Sequence, residues 1–141
     1  MNLPIFRPQL PKSHDIVPYI KRIDKQRYYS NFGPLCLDFE ARLAEHFGVN
    51  SDEVVTSANA TLGLVQVLKA LSIKPGTLCV LPSWTFVATA SAVVYAGLVP
   101  FFIDVDLHDW MIHPEKVLPL LSSHDVGAII VVSAFGAQVD S

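Results

Sequence analysis

Apolar residues recur along this chain at two different spacings, and each spacing predicts a different element. Apolar residues occupy every fourth position at Leu35, Phe39, Leu43 and Phe47. This spacing is typical of an amphipathic helix. Pro34 suits the first turn of this predicted helix, and Gly48 suits its end.

Short apolar runs alternate with helix-like segments from residue 53 onward. The runs predict strands over residues 53–57, 77–81, 99–105 and 126–133. The segments between them predict helices over residues 59–71, 85–96 and 113–121. Strands that alternate with helices predict an α/β fold, with a mostly parallel sheet in a three-layer αβα arrangement.

The N-terminal segment has a different character, because prolines interrupt it at Pro4, Pro8, Pro11 and Pro18. These prolines prevent a long helix and leave room for a short one over residues 15–25. The predicted organisation is therefore an N-terminal segment, residues 1–33, followed by residues 34–141 as part of an α/β domain.

Composition excludes several classes of function. The net charge is −3 and no basic run occurs, so nucleic-acid binding is not expected. The proline-rich N-terminus does not match a signal peptide. Residues 78–103 carry no charge, but Pro82, Gly97 and Pro100 divide them, which argues against a membrane span.

We therefore expect a cytoplasmic protein, with Cys36 and Cys79 as two buried thiols in no metal or redox spacing.

The segment Ser57–Leu64 follows a predicted strand and opens a predicted helix. The free amides and the positive dipole end of such a helix can hold a phosphate, and the Thr61 hydroxyl adds a donor. The alternative is that Asn59 only caps an ordinary helix. The chain has neither the glycine–lysine loop that binds nucleotide phosphates nor the glycine fingerprint that binds dinucleotides.

Two aromatic residues, Trp84 and Phe86, follow the next predicted strand. In a parallel sheet this is the edge where ligands bind, so the rings can either stack on a flat ligand or plug the core. Asp104 and Asp106 follow another strand and can either orient a cationic group or cap a turn. The five histidines show no ligand spacing, so no metal site is predicted. A phosphate turn beside a stacking ring suggests pyridoxal phosphate (PLP).

A series of short motifs, in this order and spacing, resembles the DegT/DnrJ/StrS-type sugar aminotransferases, which are fold-type I PLP-dependent enzymes. The resemblance runs from about Tyr28 to Asp140. Its landmarks are Tyr28–Pro34, Phe39–Glu40, Phe47–Gly48, Asn59–Thr61, Lys74–Gly76, Pro82–Thr89, Ala96–Gly97, Pro100, Asp104–Asp106 and Phe135–Gly136. It implies that residues 34–141 are the incomplete N-terminal part of a PLP-binding large domain.

The resemblance also implies roles for particular residues. The cofactor-binding positions are Asn59, Ala60 and Thr61 in the phosphate turn and Phe86 as the ring stacked on the pyridine. The segment near the active-site entrance, often close to the dimer interface, contains Tyr29, Asn31 and Phe32.

Three departures from the family pattern qualify these roles. Ala60 replaces a usual glycine, and its methyl group can crowd the turn or forbid a positive φ. Ser133–Gly136 lacks a usual polar residue such as histidine. None of the six lysines matches the Schiff-base position, and the carboxylate that pairs with the pyridinium is also absent. We therefore expect a truncated chain with no catalytic residue of its own, which is inactive alone and binds PLP weakly or not at all.

The activity that the resemblance implies is transfer of an amino group, from glutamate, to a keto-sugar nucleotide by a homodimeric enzyme of polysaccharide or antibiotic sugar synthesis. One alternative is a deoxysugar dehydratase of the same family, in which histidine replaces the Schiff-base lysine. Another is a non-catalytic remnant that only folds and self-associates.

Overall fold

The structure is a computed structural model, and it describes residues 7–136. The chain divides into two compact units, Met1–Thr56 and Ser57–Ser141. The domain boundary expected between residues 33 and 34 stays a prediction. Pro4 and the last residues of the family resemblance, 137–140, lie outside the described residues.

Two helices form most of the first unit. Helix α1 spans Ser13–Gln26 and helix α2 spans Pro34–Phe47, close to the predicted bounds. The predicted stop of α2 is confirmed, because Gly48 adopts a left-handed conformation (φ 67°) and its amide bonds back to the carbonyl of Ala44.

The buried face of α2 is not the predicted stripe of large apolar residues. Phe39 and Phe47 are 54% and 69% exposed. The buried residues of this helix are Glu40 and Ala44. Glu40 can be buried because its carboxylate accepts a hydrogen bond from the amide of Thr56.

The strand predicted over residues 53–57 is wrong. Ser51–Glu53 forms a short 3₁₀ helix instead, and Val54 is extended (φ −116°, ψ 123°) without belonging to a sheet. A strand is stabilised by the ladder it shares with a neighbour, and none of the strands in residues 7–136 pairs with this segment.

The second unit is built on a parallel sheet whose strands are β1 (Leu78–Pro82), β2 (Val99–Ile103) and β3 (Val126–Ile129). Within the described residues the strand order is β2-β1-β3, and β1 pairs in parallel with both neighbours. The predicted strands over 99–105 and 126–133 are therefore real but shorter than expected. Three helices accompany the sheet, α3 (Ala60–Ala70), α4 (Val87–Tyr95) and α5 (Pro114–Ser123).

The helices cover both faces of this sheet. The core cluster joins α3 and α4 to the sheet through Leu68, Cys79, Val93 and Leu98. Ala128 and Ile130 pack against this cluster, whereas Ile129 and Val131 line a pocket with residues of α5. Because successive side chains along an extended segment point to opposite faces, α5 covers the face opposite to α3 and α4. The α/β fold with a parallel sheet between helical layers is confirmed.

The loops that leave the carboxyl ends of the strands carry most of the predicted chemistry of this unit. Residues 83–86 follow β1, residues 104–113 follow β2 and residues 130–136 follow β3. No helix within residues 7–136 has the length and the apolar character needed to cross a membrane.

Candidate cofactor site

The turn that starts α3 has the geometry of a capped helix N-terminus. Asn59 is extended (φ −165°, ψ 167°), and its Oδ1 accepts a hydrogen bond of 2.9 Å from the amide of Leu62. Its carbonyl accepts the amide of Gly63 at 3.0 Å. The hydroxyl of Ser57 donates to the same carbonyl at 2.8 Å. The N-cap predicted from sequence is therefore confirmed.

Two amides of this turn remain without an acceptor in the described part of the chain. They belong to Ala60 and Thr61, the first two residues of α3. A helix leaves its first amides without intrahelical partners, and the dipole makes this end attractive to anions. The cap uses the amide of Leu62. The two amides that still lack an acceptor among the described residues belong to the turn to which the family resemblance assigns the phosphate.

Ala60 does not strain this turn. It is the first residue of a right-handed helix and is not among the residues with positive φ. The conformational objection to alanine at this position therefore does not apply, since any residue adopts helical dihedrals. Ala60 is exposed and Thr61 is half-buried.

Phe86 lies at the start of α4, directly after the loop that leaves β1. It is the N-cap residue of that helix, and the residue is 76% exposed. Below it, the hydroxyls of Thr85 and Thr89 share a hydrogen bond of 2.8 Å, and the amide of Thr89 donates to the carbonyl of Phe86. The backbone of Phe86 is thus held while its ring stays free to contact a flat ligand.

Three other aromatic rings meet at this edge of the sheet. Trp84 and Trp110 pack edge to face with centroids 5.2 Å apart, and Phe135 lies 6.0 Å from Trp110. One ring comes from the loop after each strand. Trp84 therefore makes a packing contact with another ring and is 48% exposed, whereas Phe86 is 76% exposed.

The two aspartates after β2 accept hydrogen bonds from different places, Asp104 from the loop after β1 and Asp106 from its own turn. The hydroxyl of Ser83 donates to Asp104 Oδ1 at 3.3 Å, and the amide of His108 donates to Asp106 Oδ1 at 2.8 Å. The hydrogen bond from His108 is the main reason why the pKa of Asp106 is lowered. Of the two roles left open by sequence, the structure shows turn capping for Asp106.

Lys116, which the sequence did not single out, fastens the same turn. Its Nζ donates to the backbone carbonyls of Asp104 and Val105, at 3.2 Å each. Because its ammonium group is engaged with these carbonyls, Lys116 acts as a structural residue of the loop after β2.

Asp106, Asp109 and His113 form a group of possible metal ligands whose ligating atoms lie within 4.8 Å of one another. His113 Nε2 lies 3.0 Å from Asp109 Oδ2. Asp109 also caps the turn, because its Oδ1 accepts the amide of Met111 at 3.0 Å. Hydrogen bonding within the turn accounts for both carboxylates, and exposed acidic groups are common without an ion.

The predicted entrance residues lie in the first compact unit, in the loop between α1 and α2. Tyr29 and Phe32 are 70% and 67% exposed, and Phe32 adopts a positive φ of 57°. The carbonyl of Asn31 accepts a hydrogen bond of 3.0 Å from the hydroxyl of Tyr28. Tyr29 also lines a shallow pocket of 260 Å³ at the start of α2.

The candidate cofactor residues therefore fall into two places within one unit. Asn59, Ala60 and Thr61 share the first turn of α3, and Phe86 starts α4, which packs against α3. No hydrogen bond joins Phe86 to the turn within residues 7–136. The residues to which the family resemblance assigns the phosphate and the ring of the cofactor therefore lie on neighbouring helices of the same unit.

The fold is a parallel α/β domain in which α3 begins with a capped turn and two amides without an acceptor in the described residues. The chain belongs to the DegT/DnrJ/EryC1/StrS aminotransferase family, whose model matches residues 12–141. This is a family of PLP-dependent enzymes that includes sugar aminotransferases, and the resemblance inferred from the motifs is confirmed.

Named relatives agree with this assignment. The chain is 33% identical to the dTDP-4-amino-4,6-dideoxy-D-glucose transaminase of Escherichia coli, over 82% of this chain and 30% of that protein. It superposes with a TM-score of 0.88 on a Bacillus cereus ATCC 10987 protein provisionally described as a PLP-dependent aminotransferase, with 28% identity, covering 99% of this chain and 39% of that one. DesI, solved in the presence of its TDP-sugar product, gives a TM-score of 0.79 at 30% identity, covering 94% of this chain and 33% of DesI.

The chain spans about a third of the length of the curated relatives that it matches, 30% of the Escherichia coli enzyme and 38% of a Shigella dysenteriae enzyme of the same name.

Proposed function

We propose that this chain is the phosphate-binding part of a PLP-dependent sugar aminotransferase. The complete enzyme would move an amino group from glutamate to a keto-sugar nucleotide, and would act as a cytoplasmic homodimer. Family membership over residues 12–141 supports the class of enzyme, and the named dTDP-sugar transaminases support the class of substrate.

The observation that carries the proposal is the pair of free amides at the start of α3. Ala60 and Thr61 each present an N–H without an acceptor in the described residues, and the Thr61 hydroxyl is next to them. A dianionic phosphate needs several donors and no nearby carboxylate. The Asn59 side chain is occupied by Leu62, so it orients the turn and leaves the amides of the next two residues for the ligand.

Phe86 supports the ring end of the same ligand. An exposed aromatic ring on a held backbone can cover one face of a flat heterocycle and shield it from water. Pyridoxal phosphate, when bound, supplies an electron sink for amino-group transfer. The residues of this chain bind its phosphate and orient its ring, whereas no residue of this chain is assigned to proton transfer or to a covalent bond with it.

A comparison of two ligands tests the phosphate assignment. The chain is titrated with pyridoxal phosphate and with pyridoxal, which lacks the phosphate, and the quenching of Trp84 and Trp110 fluorescence is followed. We expect tighter binding of pyridoxal phosphate by about tenfold or more, because each hydrogen bond to a charged group contributes about 1.5–3 kcal/mol.

Variants locate that difference. Thr61→Val should lower the affinity for pyridoxal phosphate until it approaches the affinity for pyridoxal. Phe86→Leu should lower the affinity for both ligands equally, because stacking involves only the ring that the two ligands share. Ser122→Ala, on the exposed surface of α5, is the matched control. Equal affinities of the wild-type chain for the two ligands would reject the phosphate site.

The transfer activity is tested on a longer protein that carries this chain. Its visible absorption with pyridoxal phosphate should fade when glutamate is added, because an aminotransferase passes the donor's amino group to its cofactor. Absorption that persists with glutamate would exclude the aminotransferase and favour the dehydratase. An absence of any cofactor absorption would favour the non-catalytic remnant.

A further inference from the structure

A buried carboxylate binds the backbone shortly before the phosphate turn. Glu40 is only 7% exposed. Its Oε1 accepts two hydrogen bonds from Thr56, one from the amide at 2.7 Å and one from the hydroxyl at 2.8 Å. Cys36 completes the cluster, with Sγ 3.7 Å from the same oxygen and 3.1 Å from the Thr56 hydroxyl.

The charge of Glu40 is balanced by these donors and not by a cation. Burying a carboxylate is costly unless it is hydrogen-bonded or paired. In the described part of the chain no lysine, arginine or histidine forms an ion pair with Glu40. The hydrogen bonds from Thr56 lower the pKa of Glu40, which keeps the carboxyl ionised and a strong acceptor.

Thr56 is the residue from which the chain continues into the turn. Ser57 follows it and donates its hydroxyl to the carbonyl of Asn59, and Asn59 caps α3. Hydrogen bonds therefore fix the chain at Thr56, at Ser57 and at Asn59 in succession. Each fixed residue removes backbone freedom from the segment that carries the free amides.

We propose that Glu40 is a positioning residue for the phosphate turn. By holding the backbone of Thr56, it restricts the motion of residues 57–59 and so pre-organises the amides of Ala60 and Thr61 for an anion. A site that is ordered before binding loses less entropy when the ligand arrives. This inference rests on the proposed function, since it assigns Glu40 a role in the same phosphate site.

Hydrogen exchange of the 141-residue chain tests the coupling without any ligand. The variants are Glu40→Ala, which removes the acceptor, and Glu40→Gln, which keeps an oxygen but loses the charge. Glu45→Ala, on the exposed surface of the same helix, is the control. We expect faster amide exchange in a peptide covering residues 57–62 for Glu40→Ala, a smaller increase for Glu40→Gln and none for Glu45→Ala.

The sheet provides the internal reference for a local effect. Exchange in peptides covering β1, residues 78–82, should stay unchanged in the variants. A general loss of stability would instead raise exchange in both regions together, and that result would overturn the positioning role. If Glu40→Ala does not fold, Glu40→Gln decides: faster exchange confined to 57–62 supports the role, and wild-type exchange there overturns it.

Ligand binding then separates this inference from the proposed function. With pyridoxal phosphate, Glu40→Ala should bind about tenfold more weakly, which corresponds to about 1.4 kcal/mol, and Glu40→Gln should partly restore the affinity. With pyridoxal, both variants should bind like the wild type. If the wild type itself does not distinguish the two ligands, the proposed function fails. If the wild type distinguishes the two ligands but Glu40→Ala binds each ligand with wild-type affinity, only the positioning role fails.

Discussion

Asn59 carries a local interaction whose energetic effect can be measured on its own. Its Oδ1 satisfies the amide of Leu62 at the start of α3. Replacing an asparagine N-cap by alanine removes that bond and costs about 0.5–2 kcal/mol. We expect Asn59→Ala to lower the free energy of urea unfolding by this amount, while Asn59→Asp, which keeps an oxygen acceptor, stays close to the wild type. Equal stability of Asn59→Ala and wild type would show that the cap does not stabilise α3.

Glu40 makes the stability of the chain depend on pH. The pKa of Glu40 is lowered from its ordinary value of 4.5, chiefly by the amide and hydroxyl of Thr56, so folding favours the ionised form. This stabilisation is present above pH 4.5 and is lost as the pH falls from there through the lower folded-state pKa.

The measurement compares urea unfolding of the wild type and Glu40→Gln from pH 7 to pH 3. The wild type should be more stable at pH 7, and its advantage should shrink below pH 4.5, because glutamine does not titrate. An advantage that stays constant across the whole range would contradict the assigned pKa direction.

The two cysteines are expected to differ in reactivity. Cys79 is fully buried in β1, and burial raises the pKa of its thiol to about 11. Cys36 is partly exposed at the start of α2. Because the thiolate is the reactive form, an aromatic disulfide reagent at pH 8 should label one thiol in the native chain and a second only in denaturant.

Cys36→Ser supplies the control for this assignment, since it should abolish the labelling of the native chain. Rapid labelling of both thiols in the wild type would show that β1 opens readily. The sequence predicted two buried thiols, and the structure confirms this for Cys79 but not for Cys36.

At the scale of elements, the sequence predicts what is local and misses what depends on distant partners. The cap at Asn59 and the stop at Gly48 were correct, because each depends on a few adjacent residues. The strand over 53–57 was wrong, because strand formation requires a neighbour that no local pattern reveals. The buried role of Glu40 was missed for the same reason, since its partner Thr56 is sixteen residues away.

Strand β3 contains a glycine where a side chain would not fit. A Cβ at Gly127 would overlap Ile73 Cγ2 and would lie 2.8 Å from Thr77 Cγ2. We expect Gly127→Ala to destabilise the chain by about 1–3 kcal/mol, the usual cost of overpacking. Thermal and urea unfolding measure this loss.

A double variant tests whether the clash is the cause. In the Ile73→Ala background, Gly127→Ala should cost less, because the Ile73 methyl group has been removed. Part of the destabilisation should remain, because the close contact with Thr77 is unchanged. An identical cost in both backgrounds would assign the effect of Gly127→Ala to something other than crowding by Ile73.

At the scale of the whole molecule, the candidate site could be predicted only in part. The phosphate role proposed for residues 59–61 and the stacking role proposed for Phe86 rest on short motifs whose order along the chain resembles the family. The contact between Trp84 and Trp110 joins the loops that follow two different strands, so only the folded sheet brings the rings together. The role of Lys116 could not be predicted from sequence either, because every residue has a backbone carbonyl and no pattern marks the two that Lys116 binds.

Exposed apolar side chains are the property of the whole molecule that solution measurements reach most directly. Leu107 and Phe135 are 90% and 89% exposed, and both lie in loops of the second unit. Exposed apolar patches favour association and bind apolar dyes. We therefore expect the sedimentation coefficient to rise with concentration and a naphthalene sulfonate dye to fluoresce on binding. The double variant Leu107→Ser/Phe135→Ser should reduce both signals, whereas Ser122→Ala should change neither. A single concentration-independent species without dye binding would show that these side chains do not drive self-association, which would remove the main physical argument for a self-associating remnant.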